Sequence, residues 1–322
     1  MKKTILAAIA ACIMAPTTLA QTVEPIKYGD FEHWVSRDIA ESVVIGGKHR
    51  TVYEVGPDKE IKETQAYRNL GGSPWGTSNV YAKVSGITKA SNAVFPSQRT
   101  PTNKCAKLCT QMETVKVLGL INMHVMVAGS MFLGEMIEPI KSTGEPYKNM
   151  DMGMKYTKRP SALVMDFKVD MPQTDTRTKA TGFGPRKTLP GRDEAVVFVF
   201  LQRRWEDAQG NIHAARVATG GEKFKKGYTW QNGHQVPLVY GDASKHPGFG
   251  WLGLRSGDNA YYARNSKGEL VKVVEETWDD PAATPTHAIV MFSAGNGEPF
   301  IGTEGLTFYV DNVGFVLPGK AP

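Results

Sequence analysis

The C-terminal segment Leu306–Leu317 alternates in a way that only an extended chain can use. Leu306, Phe308 and Val310 fall on one face, and Thr307, Tyr309 and Asp311 on the other. Asp311-Asn312 interrupts a β-branched and aromatic run that resumes at Val313. A period of two commits this stretch to a sheet with one face in a core. Thr51–Val55 alternates in the same way, and Val80–Val84, Cys105–Thr110, Val115–Val127, the stretch after Pro160, His213–Thr219, Gln235–Tyr240 and Thr286–Ser293 read as further strands. Glu194–Leu201 is apolar almost without a break, which predicts a strand buried on both faces. No segment carries the 3.6-residue period of an amphipathic helix.

The 33 glycines and 19 prolines are scattered, as suits short strands joined by turns. About ten to twelve strands in a chain of this length fit an all-β fold: two antiparallel sheets in an elaborated jelly-roll β-sandwich. The reading places this domain over residues 21–322, with its core at about 31–317, and finds no linker or repeat. Met171–Arg192 and Ser256–Thr286 read as long polar inserts. The closing run x-x-Val-Asp-Asn-Val-x-Phe-Val resembles the last strand of jelly rolls common among carbohydrate-binding modules.

Residues 1–20 read as a secretory signal rather than as fold. Lys2-Lys3 is a basic n-region, Ile5–Met14 an apolar core too short to span a bilayer, and Thr18-Leu-Ala-Gln21 offers cleavage after Ala20. Ile9-Ala-Ala-Cys12 also matches a lipobox, so a lipoprotein anchored at Cys12 is the alternative, and the one route to a membrane. The expected location is therefore secreted, periplasmic or on the cell surface. Of the formal charge of +6, two units belong to Lys2 and Lys3. The remaining basic residues are dispersed rather than set in a stripe, so no nucleic-acid partner is expected. Cys105 and Cys109 are the cysteines left after cleavage. On a strand their Cα atoms are about 13 Å apart, too far for a disulfide, and both read as small buried hydrophobes.

Several segments in order resemble one family: Trp75-Gly-Thr-Ser-Asn79, Cys105-Ala-Lys-Leu-Cys-Thr110, Ala128-Gly-Ser-Met-Phe-Leu-Gly134, Arg159-Pro160, Glu194–Arg203 and Gly302–Val313. Together they are similar to the putative carbohydrate metabolism domain of secreted and surface proteins of Bacteroidetes. The resemblance implies a jelly-roll sandwich and a role in glycan use, as a glycoside hydrolase or a glycan-binding module. The inserts Gln173–Arg192 and Ser256–Thr286 depart from the family pattern.

Sugar recognition needs an aromatic face for the apolar side of the ring and planar polar groups for the hydroxyls. Trp75 is one such platform candidate, with a role in capping the core as the alternative. Asn79, four residues on, offers an amide. Arg159 is held extended by Pro160 and would bond a hydroxyl or a carboxylate, or pair with a structural acid. Arg203 and Arg204 end the most buried strand, so one of them should point inward and need a partner. Tyr240, Trp230 and Trp251 are further platforms. A glycosidase needs two carboxyls about 5 Å, or about 6.5–9.5 Å, apart. No strand centre carries such a pair, so one would have to form across strands. Asp166 and Glu194 are the catalytic candidates, while Glu135, Glu206 and Glu298 lie at turns. Asp311 and Asn312 offer oxygens for a structural Ca2+, or else form a bulge. No other cofactor is expected, and the seven histidines lack zinc-site spacing. The partner expected is an oligo- or polysaccharide. Binding leads, ahead of hydrolysis by a cross-strand carboxylate pair and of a structural role in adhesion without a sugar site.

Overall fold

A computed structural model describes residues 21–319 apart from 85, 118–120, 143, 146 and 183. The signal segment and Cys12 lie outside the described residues. Among those described there is no α-helix, only three short 3-10 turns between strands.

Two sheets form a β-sandwich. The eight-stranded sheet runs Thr181–Gly182, Ile121–Ala128, Asn103–Val117, Thr307–Leu317, Ala162–Asp170, Tyr228–Pro237, with Thr22–Pro25 added on Thr307–Leu317 and Val94–Thr100 on Asn103–Val117. The closing strand therefore lies in the middle of its sheet. Its alternation is used as the sequence predicts. Phe308, Val310, Val313 and Phe315 enter the core, and Tyr309 stays half-buried on the far side.

The second sheet has ten strands, and its pairings close a ring. His287–Ser293 pairs with Ala195–Glu206, and the path continues through Ile212–Phe224, Leu270–Trp278, Tyr261–Arg264, Met150–Met152 and Ser130–Met136, which pairs back onto His287–Ser293. Two of these contacts are parallel, an elaboration of the purely antiparallel sandwich. The ring explains the continuous apolarity of Ala195–Leu201. Val197, Val199 and Leu201 face the eight-stranded sheet, whereas Phe198 and Phe200 face the ring interior with Phe132, Met152, Ile289 and Tyr261. A strand between two apolar layers has no face left for polar residues.

Two smaller units flank this body. A three-stranded sheet of Trp34–Ala40, His49–Val55 and Lys59–Ile61 backs onto the hairpin Val80–Val84/Ile87–Ser91 through Ile39, Val52, Tyr81 and Ala90. Arg37 ties them together. It bonds Glu54 at 2.6 Å and Glu138 at 2.6 Å, while Glu138 accepts the Tyr81 amide at 2.6 Å. Burial and the neighbouring Glu138 outweigh Arg37 at Glu54 and push its carboxyl up to about 8. Met171–Arg192, which reads as a loop, instead holds the hairpin Thr176–Lys179/Lys187–Pro190, and Ile301–Gly302 pairs with its first strand. Polar side chains hide such strands from a hydrophobic pattern, because little of their surface is buried. Cys105 and Cys109 lie on one strand, both free.

Candidate functional site

A cavity of about 530 Å³ opens at the mouth of the ring. That is the size of a small-ligand site. Its floor is the ring itself: Phe132, Phe198, Met291, Ser130 and Ser293. Ser130 and Ser293 hydroxyls lie 2.9 Å apart. One wall is aliphatic. Val80, Ala82, Val84 and Ile87 line it from one hairpin, and Val115, Met123, Val125 and Val127 from the long hairpin Asn103–Val117/Ile121–Ala128. In the first hairpin these are alternate residues, with Ala82 opposite Lys89, so it turns a single face to the cavity; in the second, Val115 lies opposite Met123, and Met126 and Ala128 join Val125 and Val127 in the lining.

The other wall is aromatic and polar. Tyr147 meets Tyr261 edge-on at 5.3 Å, Tyr261 stacks parallel to Phe198 at 6.4 Å, and Trp251 stands edge-on to Phe198 at 6.2 Å. The Trp251 indole donates to Gly248 O at 3.0 Å, which fixes the ring of a half-buried residue. Burial pushes the phenols of Tyr147 and Tyr261 up, so both stay neutral donors. Asn149, Asn259, Asn296, Glu298 and Arg255 complete this side. Three carboxylates line the cavity. Glu113 lies 3.7 Å from Lys89 and accepts from Gln111 at 2.8 Å. Glu145 pairs with Lys148 at 2.7 Å, and Glu298 lies 3.8 Å from Arg177.

The residues singled out from sequence lie elsewhere, and each has a partner within the protein. Trp75 is 3% exposed inside the sandwich core, with its indole donating to Lys27 O at 3.0 Å, so the capping alternative describes it and no ring face is open to a sugar. Asn79 is fully buried. Its amide donates to Tyr53 O and Val94 O and accepts from the Ala93 and Val94 amides, which stitches two strands together. Arg159 stacks on Tyr240 at 4.2 Å and donates to the carbonyls of Ala283 and Pro281, while Tyr240 donates to Pro160 O at 2.8 Å. This cluster braces the loop after Trp278. Arg203 points outward to Asp279 at 2.7 Å; Arg204 is the inward member, donating to Gln202 and Met152 O. Glu194 pairs with Lys223 at 2.9 Å. Of the weaker candidates, Trp251 and Glu298 do line the cavity.

Asp166 and Asp311 form the cross-strand carboxylate pair that sequence cannot reveal, being direct partners in register. They lie on the face of the eight-stranded sheet turned away from the core. One Arg99 nitrogen, Nη1, donates to Asp166 at 2.7 Å and to Asp311 at 2.6 Å, and Asn312 donates to Asp166 at 2.8 Å. Burial works against ionising Asp166, but Asn312, Arg99 and the Gly233 amide outweigh it and hold the carboxyl low. Burial dominates at Asp311 and raises it. Arg99 bridges these two carboxylates, and Asp311 is fully buried. Asn312 has φ +51°, a left-handed turn that accounts for the break in the closing strand's pattern. Among the described residues no cluster of three or more His, Cys, Asp or Glu is placed to hold a metal ion.

Sequence reasoning missed Arg255, Tyr147, Tyr261 and Glu113. The one signal for them is the aromatic, glycine-rich run His246–Leu254 that leads into Arg255.

Fold and site together define an all-β sandwich with a ligand-sized cavity at the mouth of its ring. The chain belongs to the family described as Putative carbohydrate metabolism domain, whose sequence model matches residues 30–213. That stretch includes the aliphatic wall and Tyr147 but not Lys223, Trp251, Arg255 or Glu298. Two solved structures are similar in outline. One, titled a putative glycoside hydrolase from Bacteroides thetaiotaomicron, is 14% identical with a TM-score of 0.46, covering 85% of this chain and 76% of that one. The other, a putative glycoside hydrolase from Bacteroides vulgatus, is 13% identical with a TM-score of 0.44, covering 92% and 95%. No curated protein matches the chain.

Proposed function

We propose that this protein, exported by its N-terminal segment, binds an oligosaccharide in the cavity at the mouth of the ring. One observation carries the reading: a cavity of about 530 Å³ with aromatic rings and side-chain amides on the same wall. A sugar presents an apolar C–H face and a rim of hydroxyls. Trp251, Tyr147 and Tyr261 suit the first, and Asn149, Asn259, Asn296 and the serine pair Ser130–Ser293 suit the second. Membership of a carbohydrate metabolism family supports the same class of ligand. A glycan array probed with the mature protein tests it: retention of a defined set of glycans, abolished by filling the cavity with Ser293→Trp, is the expected result. Retention unchanged by that variant would remove the cavity from the proposal.

A second reading, hydrolysis, is favoured by Glu113 and Glu298, which reach the cavity from different elements. A reducing-sugar assay on the array hits separates the two. Sugar release lost in Glu113→Gln or Glu298→Gln supports a hydrolase; binding with no release leaves a binding protein.

A further inference from the structure

We propose that the saccharide carries an anionic group, a carboxylate or a sulfate, and that Arg255 receives it. The proposal rests on the reading of the cavity as a saccharide site. Among the described residues, the Arg255 guanidinium bonds to no carboxylate. It lies 5.4 Å from the Tyr261 ring centre, 5.7 Å from Phe200 and 5.9 Å from Phe198. Its Nε is buried without a hydrogen-bond partner. The other cations of the lining are already engaged: Lys89 holds Glu41 at 2.9 Å, and Lys223 holds Glu194 at 2.9 Å.

The acid that meets the Arg255 backbone, Glu275, has its side chain committed elsewhere. It is fully buried, accepts Arg216 Nε at 2.6 Å and Gln202 at 2.5 Å, and gives Arg255 only a bond to its backbone amide, at 2.6 Å. The Glu275 amide in turn donates to Arg255 O at 3.0 Å. These two bonds fix the backbone, and three rings confine the side chain. Ring faces attract a cation but satisfy none of its N–H groups, and an unpaired N–H out of water is costly. A planar fork held this way matches the two oxygens of a carboxylate or sulfate, which it can bond in bidentate fashion. The acids of the lining do not oppose such a ligand as free charges, since Glu113, Glu145 and Glu298 each face a cation. Arg255 also lies outside residues 30–213, so this recognition element belongs to the part of the chain beyond the family match.

Calorimetry on the mature protein tests the proposal with three ligands of matched length: an oligogalacturonide, a sulfated galactan oligosaccharide and a neutral oligogalactan. They are run beside a glycan array holding uronic-acid, sulfated and neutral members. Array retention concentrated in acidic members is expected, with Arg255→Met weakening the acidic ligand about 10- to 100-fold. Arg255→Lys keeps the charge but loses the fork, so a smaller loss is expected; this variant also serves if the Met variant misfolds. The carboxylated and sulfated arms tell the two anions apart. Neutral members bound as tightly as acidic ones, or acidic binding unchanged in both variants, would overturn the anionic group while leaving saccharide binding intact. Retention of nothing on the array would overturn both.

Discussion

The two outward faces of the sandwich treat charge in opposite ways. On the eight-stranded sheet, Asp166 and Asp311 sit side by side, but Arg99 bonds both and itself stacks on Trp230 at 4.3 Å. Each of these three charges has a partner within the chain. On the ring, the Arg255 guanidinium has aromatic neighbours, an open cavity and, among the described residues, no carboxylate bonded to it. Both faces hold arginine, acid and tryptophan, the residue types a sugar site needs. The difference is that one set is saturated by its own chain and the other is not. A saturated cluster holds strands in register; an unsaturated one has free energy left for a ligand.

The largest expected effect comes from breaking the saturated face. Arg99→Met leaves two adjacent carboxylates, one fully buried, and should cost roughly 3–5 kcal/mol in urea unfolding at neutral pH. The paired carboxyls then rise in pKa, so the deficit against wild type should shrink as pH falls toward about 4. A deficit independent of pH would mean that the lost packing of Arg99, not its charge, is what matters.

His287 tests the strand that joins the ring to the sandwich core. Burial, helped by Arg204 and Lys155, depresses its imidazole to about 4. Its unfolded value is near 6.5, so the unfolded chain binds the extra proton between these limits. Stability should therefore fall as pH drops from about 6.5 to 4, by up to about 3 kcal/mol from this group, and level off below. His287→Gln should flatten that slope. An unchanged slope in the variant would assign the acid sensitivity to other groups.

On the unsaturated face, Trp251→Ala should weaken saccharide binding by about 1–2 kcal/mol, some five- to thirtyfold, while the protein stays folded. The smallest effect belongs to its counterpart. Trp230→Ala removes the ring under Arg99 and should cost about 0.5–1 kcal/mol of stability with no change in binding. If Trp230→Ala impaired binding and Trp251→Ala did not, the site would move to the other face.

How far this contrast is legible in the sequence depends on range. Trp251 and Trp230 look alike there, each an aromatic beside glycines or polar residues. Trp75 attracts attention because it follows Pro74 in a turn-rich stretch, yet its strand, Trp75–Thr77, is paired at the edge of the ten-stranded sheet and its indole is covered. Arg159 was legible as a residue needing an acceptor, but its acceptors are carbonyls more than a hundred positions away. Arg203 and Arg204 were readable as a pair of which one turns inward, because alternation on a strand is local; which one, and onto what, was not.

The sequence by itself determined what neighbouring residues decide. It set the period-two strands, the closing strand's core face, the doubly buried Ala195–Leu201 and the separation of Cys105 from Cys109, because a pleated chain sends successive side chains to opposite sides whatever lies beyond it. Only the tertiary structure decided which charges are cancelled. Arg99 meets Asp166 and Asp311 across 67 and 212 positions, whereas among the described residues no carboxylate bonds the Arg255 guanidinium. Pairing of that kind depends on how strands are ordered in sheets and how one sheet closes on itself, and no local pattern of residue types encodes it.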